Sequence, residues 1–169
     1  MLEGIDVHVE AAFRERVDAD WIKQVARRVL EEEGEKGATY EASVAIVGSR
    51  AIQELNRDYR GIDEPTDVLS FGLLARQEDA AAFVLPPDNV LHMGEVIVSY
   101  PQAEGQAREQ GHPVKQELAQ LIIHGMLHLL GYDHEESEQE GNKMRDREAV
   151  IFRAVMSHEE HRQSGQAES

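Results

Sequence analysis

Alternating hydrophobic and polar positions predict four short β-strands along this chain. Residues 5–9 and 40–47 alternate between apolar and polar side chains, which is typical of strands with one buried face. Residues 90–99 are apolar and rich in β-branched side chains, and residues 68–71 form a short, mostly apolar run, so we expect two more strands there. Between the second and third predicted strands, residues 60–66 contain Gly61, Asp63 and Pro65 and predict a loop.

Helical spacing of apolar residues predicts five helices between and after these strands. We expect helices at 18–33, from Ser49 onward, at 101–111, at 113–130 and at 136–158. Residues 77–89 contain an alanine run and two adjacent prolines, and they predict a loop. The pattern indicates a single domain of alternating helices and strands over residues 1–160, and residues 161–169 are polar enough to be a disordered tail.

The helix predicted at 113–130 is apolar around most of its circumference, which indicates that it is buried. One polar stripe interrupts it, formed at steps of three and four residues by Glu117, Gln120, His124 and His128. Buried polar groups without partners cost about 1–3 kcal/mol each. The stripe therefore needs partners, and a metal ion would provide one for each histidine.

Three histidines near this helix have the spacing of a metal site. His124 and His128 are four residues apart and share one helix face, while His134 follows Gly131, a residue suited to ending the helix and turning the chain back. Three imidazoles around one metal leave a coordination position open for chemistry. A single buried histidine is more often hydrogen-bonded core, but three at this spacing favour a metal. Asp133 is either a weak fourth ligand or, as we favour, an acceptor that orients an imidazole.

Composition limits which side chains can hold a metal and which compartment the protein occupies, but it does not identify the binding partner. The chain has no cysteine, so a transition metal must be held by His, Asp or Glu. Neither a secretory signal nor an apolar run long enough to cross a membrane is visible, and we expect a cytoplasmic protein. The formal net charge of −16 disfavours nucleic-acid binding over the whole surface, although a local basic cleft is compatible with it.

The histidine motif resembles two families of metalloenzymes. Its His-x-x-x-His-x-x-Gly-x-x-His spacing is similar to that of the metzincin zinc proteases, but Gly125 stands where those enzymes carry their general base, a glutamate. The full run HGMLHLLGYDH resembles the signature of the YbeY family, bacterial metal-dependent endoribonucleases that mature ribosomal RNA. Two further segments, LNRDYRG with the following DEPTDVLSF and the strand MGEVIV, are also similar to that family. The departures are Glu95, where Asp is usual, and Gly72, where Pro is common.

The YbeY resemblance implies a fold, a site and an activity. The fold would be α+β, with a small mixed β-sheet packed against helices and a zincin-like metal cleft on a central buried helix. His124, His128 and His134 would hold one zinc ion per chain, and Arg60 would be the catalytic arginine of the cleft. The activity would be cleavage of single-stranded RNA in rRNA maturation and ribosome quality control. Its partners would be rRNA precursors and the ribosome or a ribosomal protein, with neither DNA nor a membrane.

Other functions and two chemical routes stay open at the level of sequence. A zinc peptidase or another metallohydrolase has the spacing in its favour, and a ribosome-assembly factor could hold a structural metal. An endoribonuclease could use water activated by the metal, whose pKa falls to about 7 on zinc. It could instead use the 2′-hydroxyl of the RNA as nucleophile.

Overall fold

A four-stranded mixed sheet forms the centre of the molecule. The structure is a computed structural model that describes residues 3–35, 37–73, 90–133 and 137–167. The strands are β1 (Glu3–Val9), β2 (Thr39–Val47), β3 (Val68–Gly72) and β4 (Val90–Ser99), and their order across the sheet is β1-β2-β4-β3. β1 and β4 both pair with β2 in parallel, whereas β3 pairs with β4 antiparallel.

Helices cover both faces of this sheet. They are α1 (Ala19–Glu33), α2 (Ser49–Arg60), α3 (Tyr100–Gln110), α4 (Val114–Leu129) and α5 (Glu138–Ala167), with a short 3-10 turn at Ala11–Phe13. Alternate side chains of β2 divide between two cores, because successive residues of a strand point to opposite faces. Val44 packs into the large core with α1, α4 and α5, and Ala45 packs with α2 on the other face.

Helix α4 lies against the sheet in the middle of the large core. Leu118, Ile122 and Met126 are at most 3% exposed, so this side of the helix is fixed by packing alone. The helix ends at Leu129, and Gly131 follows in the positive-φ region at 103°, where glycine has no Cβ to clash. Among the described residues, no helix has both the length and the apolarity needed to span a membrane.

The predicted architecture is confirmed, and the differences lie at the ends of elements. All four strands and all five helices occur, giving the expected α+β fold with a small mixed sheet. The last helix is longer than predicted, since its backbone continues to Ala167 through part of the segment expected to be a disordered tail. The loop predicted at 77–89 lies outside the described residues.

Candidate metal centre

Two imidazoles converge on one side of α4. His124 and His128 are the only half-buried residues between 121 and 129, where every other residue is buried. Their Nε2 atoms face each other at 3.1 Å, and the rings meet edge to face with centroids 4.6 Å apart. Two nitrogen ligands of a tetrahedral zinc, each about 2.0–2.1 Å from the metal, are separated by about 3.4 Å. The pair therefore fits a shared metal within a few tenths of an ångström.

The third histidine of the motif lies outside the described residues. The described residues contain no group of three His, Asp or Glu side chains placed to share one metal ion. His134 follows Asp133, the last described residue before the gap, and Asp133 is exposed. Within the described part of the chain, the centre thus consists of two converging imidazoles at the C-terminal end of α4.

Glu148 of α5 binds the far side of the His124 ring. Its Oε1 atom lies 2.6 Å from His124 Nδ1, which leaves the Nε2 atom of that ring to face His128. The two side chains are 31% and 29% exposed. Sequence reasoning missed Glu148 because it is 24 residues from His124, and only the packing of α5 against α4 brings the two together.

A cleft opens beside this imidazole. Its volume is about 600 Å³, and it lies between α4, α5 and the start of β3. The polar and aromatic residues that line it are Asp67, Gln120, His124, Arg145, Glu148 and Phe152. Asp67 is held in place, because its two carboxylate oxygens accept hydrogen bonds from the Val68 backbone at 2.8 Å and from Gln106 at 3.2 Å.

Arg145 is the positively charged side chain among the described residues that line this cleft. It is exposed, and its guanidinium donates one hydrogen bond to Asn142. A guanidinium carries five N–H donors in a fork that matches phosphate, so Arg145 retains donors for an anion. Sequence reasoning did not select Arg145, since nothing in its local sequence places it beside a histidine of another helix.

Arg60, the arginine selected from sequence, lies elsewhere in the described structure. It is the last residue of α2, and Ile52 of that helix packs with Ala45 and Ile97 on the face of the sheet opposite α4. Arg60 is not among the described residues that line the cleft beside His124. Residues 61–67 lead from Arg60 to Asp67 at the cleft, so the arginine is seven residues from the lining.

Gly125 is packed against the sheet. A Cβ atom at this position would lie 2.6 Å from Val96 Cγ1 and 3.2 Å from Ser70 Oγ, and Ser70 Oγ also donates to the Gly125 carbonyl at 3.3 Å. Since real Cβ contacts are longer than 3.0 Å, even alanine would displace a neighbour. The position that carries the general base in zinc proteases therefore has no room for a glutamate here, which disfavours a peptidase.

A partly buried cluster of polar side chains anchors the chain as it leaves α4. The Tyr132 hydroxyl donates to Glu33 Oε2 at 2.8 Å, and Arg147 of α5 pairs with the other oxygen of the same carboxylate. Burial, together with the hydrogen bond and charge of Glu33, raises the pKa of Tyr132 above its ordinary value. The cluster links the ends of α1 and α4 to α5, so it fixes the backbone two residues before His134.

The polar residues of the predicted stripe do not all lie beside the histidine pair. Glu117 is 4% exposed, and one of its oxygens lies 2.7 Å from Nε2 of His112, the second residue after α3. This pair satisfies the buried carboxylate with an imidazole of a neighbouring segment. His112 thus has a structural role, while His124 and His128 continue the stripe toward the cleft.

Comparison with known proteins gives one consistent result. Residues 7–156 match the family model described as "Endoribonuclease YbeY". A protein of that name from Dehalococcoides mccartyi is 48% identical over 140 residues, covering 80% of this chain and 87% of the relative. One from a Roseiflexus species is 43% identical over 157 residues, covering 92% and 96%. The solution structure of TM1509 from Thermotoga maritima is similar with a TM-score of 0.61 and 28% identity, covering 95% of each chain.

Proposed function

The chain belongs to the YbeY endoribonuclease family, and we propose that it cleaves single-stranded RNA with one zinc ion held by His124, His128 and His134. As a member of this family it is a hydrolase that acts on RNA, since its relatives are named endoribonucleases. We infer that the cleavage depends on a metal ion and serves rRNA processing. The observation that carries the zinc proposal is the convergence of His124 Nε2 and His128 Nε2 at 3.1 Å beside an open cleft.

The donor set fits zinc better than the other common hydrolytic metals. Neutral imidazole suits zinc, whereas magnesium and calcium prefer carboxylate, carbonyl and water oxygens. Zinc bound by three imidazoles supplies Lewis-acid chemistry and activates water near neutral pH. Every other contribution comes from side chains around the cleft.

The cleft residues can bind and orient an RNA strand. Arg145 lines the cleft and can donate to a phosphodiester near the histidines, since its guanidinium fork fits phosphate oxygens. We propose that Arg60 stabilises negative charge at the scissile phosphate. For this role the end of α2 must approach the rim of the cleft, to which residues 61–67 connect it. Phe152 offers an apolar wall on which a base can stack.

The partner and the compartment follow from the substrate. We propose that the chain acts in the cytoplasm on rRNA precursors. Its net charge of −16 repels RNA over most of the surface, so the isolated chain should bind free RNA weakly. Delivery by the ribosome or a ribosomal protein would then supply the selectivity that the isolated chain lacks.

Metal analysis and parallel assays test the proposed activity. The purified chain should carry about one zinc per molecule and cleave single-stranded RNA but not peptides. His124→Ala and His128→Ala should lose the bound zinc and the RNA cleavage, whereas the exposed His92→Ala should keep both. Absence of zinc in the parent, or zinc retained in a double His124/His128 variant, would reject the site.

Chelation separates a catalytic metal from a structural one. The core side of α4 is packed by Leu118, Ile122 and Met126 without any metal, so the chain should stay folded when zinc is removed. Circular dichroism after chelation should retain the helical signal, and cleavage should stop and return with zinc. Loss of cooperative unfolding in the stripped chain would instead indicate a structural metal.

A further inference from the structure

We propose that Glu148 is a positioning residue for the metal centre, acting through His124. The inference deepens the proposed function and rests on its zinc site. Glu148 would accept the Nδ1 hydrogen of His124, fix which ring nitrogen carries the proton, and hold the other nitrogen toward the metal.

The contact has the geometry of a strong hydrogen bond. Glu148 Oε1 lies 2.6 Å from His124 Nδ1, slightly shorter than the usual range of about 2.7–2.9 Å for charge-assisted N–H···O bonds. The two residues lie on different helices, α4 and α5, that pack against each other. A side chain of α5 thus fixes the orientation of the His124 ring. The rotamer preferences of His124 within α4 would not fix that orientation by themselves.

The carboxylate determines the tautomer of the ring. An ionised carboxylate only accepts hydrogen bonds, so the imidazole must present its N–H to it from Nδ1. A neutral ring has one N–H, which leaves a lone pair on Nε2. That lone pair faces His128 Nε2 at 3.1 Å, where a shared metal would lie. Carboxylates that bind histidine ligands in this way also make the ligand more basic.

The partners of neighbouring arginines make an incidental ion pair a poor explanation. Arg145 and Arg147 stand three and one residues before Glu148, yet they bind Asn142 and Glu33 respectively. The Glu148 carboxylate is directed instead to an imidazole of another helix. Both members of the pair are about 30% exposed. Exposed pairs contribute at most about 1 kcal/mol to folding, so losing this one should affect zinc binding far more than stability.

Zinc affinity of Glu148 variants tests the proposal. Competition with a chromophoric chelator should give zinc binding that is about 10–100-fold weaker in Glu148→Ala than in the parent. Glu148→Gln should fall between them, because its amide oxygen can still accept from Nδ1 but lacks the charge. The matched control is Asp146→Asn, which removes one negative charge from an exposed position on the same helix and should bind zinc like the parent.

Nitrogen NMR of the histidine rings measures which ring nitrogen of His124 carries the hydrogen. This tautomer population should not change if Glu148 has only a structural role. In the metal-free full-length parent above neutral pH, His124 should carry its hydrogen on Nδ1. Glu148→Gln should shift part of this population to the other tautomer, because the Gln amide can donate to Nδ1 as well as accept from it. This readout serves even where Glu148→Ala is too unstable to study. Parent-like zinc affinity or an unchanged His124 tautomer in these variants would overturn the proposal while leaving the zinc site intact. A parent that binds no zinc would reject the site and the proposal together.

Discussion

Two arginines are candidates for binding the substrate: the sequence resemblance selects Arg60, and the tertiary structure selects Arg145. Arg145 lines the cleft beside His124, and Arg60 ends a helix on the opposite face of the sheet. Resemblance to a family directed attention to Arg60, whereas only the packing of α5 against α4 brings Arg145 to the centre. The two residues should therefore differ in how they affect RNA cleavage.

Arg145→Ala should raise KM for single-stranded RNA about 10-fold with a smaller effect on kcat, because it removes a phosphate contact made before the reaction. Arg60→Ala should mainly lower kcat, by about 10-fold or more, if it stabilises charge in the transition state. Steady-state kinetics at fixed salt measure both. Arg50→Ala removes a 94% exposed arginine from the start of α2 and serves as the control for net charge. Equal effects of all three substitutions would show a general charge effect and no specific contact.

Gly125 shows why one position of the histidine motif must be small. Its missing side chain allows Val96 and Ser70 of the sheet to approach α4 closely. Gly125→Ala should destabilise the chain by about 1–3 kcal/mol through overpacking, which lowers the melting temperature by roughly 3–10 °C for a chain of this size. Thermal unfolding of the zinc-free chain measures it without contribution from the metal.

The control for this substitution is another helical glycine that faces open space. A Cβ atom at Gly105 of α3 would meet no atom of a neighbouring element within 4 Å, so Gly105→Ala should stabilise the helix by up to about 1 kcal/mol. Opposite signs for the two substitutions are expected. If Gly125→Ala stabilises the chain, Val96 of β4 must move aside at little cost in free energy. The short distance between α4 and the sheet would then not require glycine at this position.

Elements were predictable from sequence where their signals are local. The i, i+4 histidines required only helical periodicity, and Gly131 lies at positive φ after the helix as expected. The orienting role favoured for Asp133 stays a prediction, and the partner found on His124 Nδ1 is Glu148. That contact depends on how α5 crosses α4, which is set by side-chain packing between distant segments and has no signature within either one.

The cluster that joins α1, α5 and the residues after α4 has the same non-local origin. Tyr132 belongs to the histidine motif, yet its partner Glu33 is 99 residues away. A hydroxyl bonded to a largely buried carboxylate should stabilise the fold, so Tyr132→Phe should cost about 1 kcal/mol, or about 2–4 °C in melting temperature. Tyr59→Phe, in a residue that is 69% exposed, should cost almost nothing.

The pH dependence of this loss follows from the raised pKa of Tyr132, whose neutral form is favoured by burial and by Glu33. A raised pKa contributes stability that is complete below the ordinary value of 10.0 and is lost as the pH rises through the raised value. Urea unfolding of the parent and Tyr132→Phe should therefore differ by a constant amount from pH 7 to 9. The difference should shrink above pH 10. A difference that grows in alkali would have the wrong sign and would reject the role of Glu33.

At the scale of the whole molecule, the fold class was predictable but the strand order was not. Local alternation gives four strands, and α1 between β1 and β2 implies a parallel pair. The insertion of β4 between β2 and β3 is a choice among several orders that bury similar apolar faces. This order places β3 and β4 against α4, and Ile52 of α2 packs on the other face of the sheet.

The distribution of charge leads to a final prediction about RNA binding. The chain has 33 acidic and 17 basic residues, and Arg145 is the cation among the described residues that line the cleft. Among the basic residues that do not line the cleft, Lys115 packs over the Trp21 ring and Arg57 bonds to Asp58. Arg76 lies outside the described residues. A confined site should therefore contact about two to four phosphates, and each contributes about −0.7 to the slope of log affinity against log salt for single strands.

Fluorescence anisotropy with a non-cleavable single-stranded RNA, from low to moderate salt, should give weak binding and a slope between about −1.4 and −2.8. Arg145→Ala should make the slope shallower by about 0.7, because one phosphate contact is lost, while Arg50→Ala should leave it unchanged. A slope corresponding to eight or more contacts would require an extended basic face. Such a face would remove the need for a delivering partner, since the isolated chain could then bind rRNA tightly through its own surface.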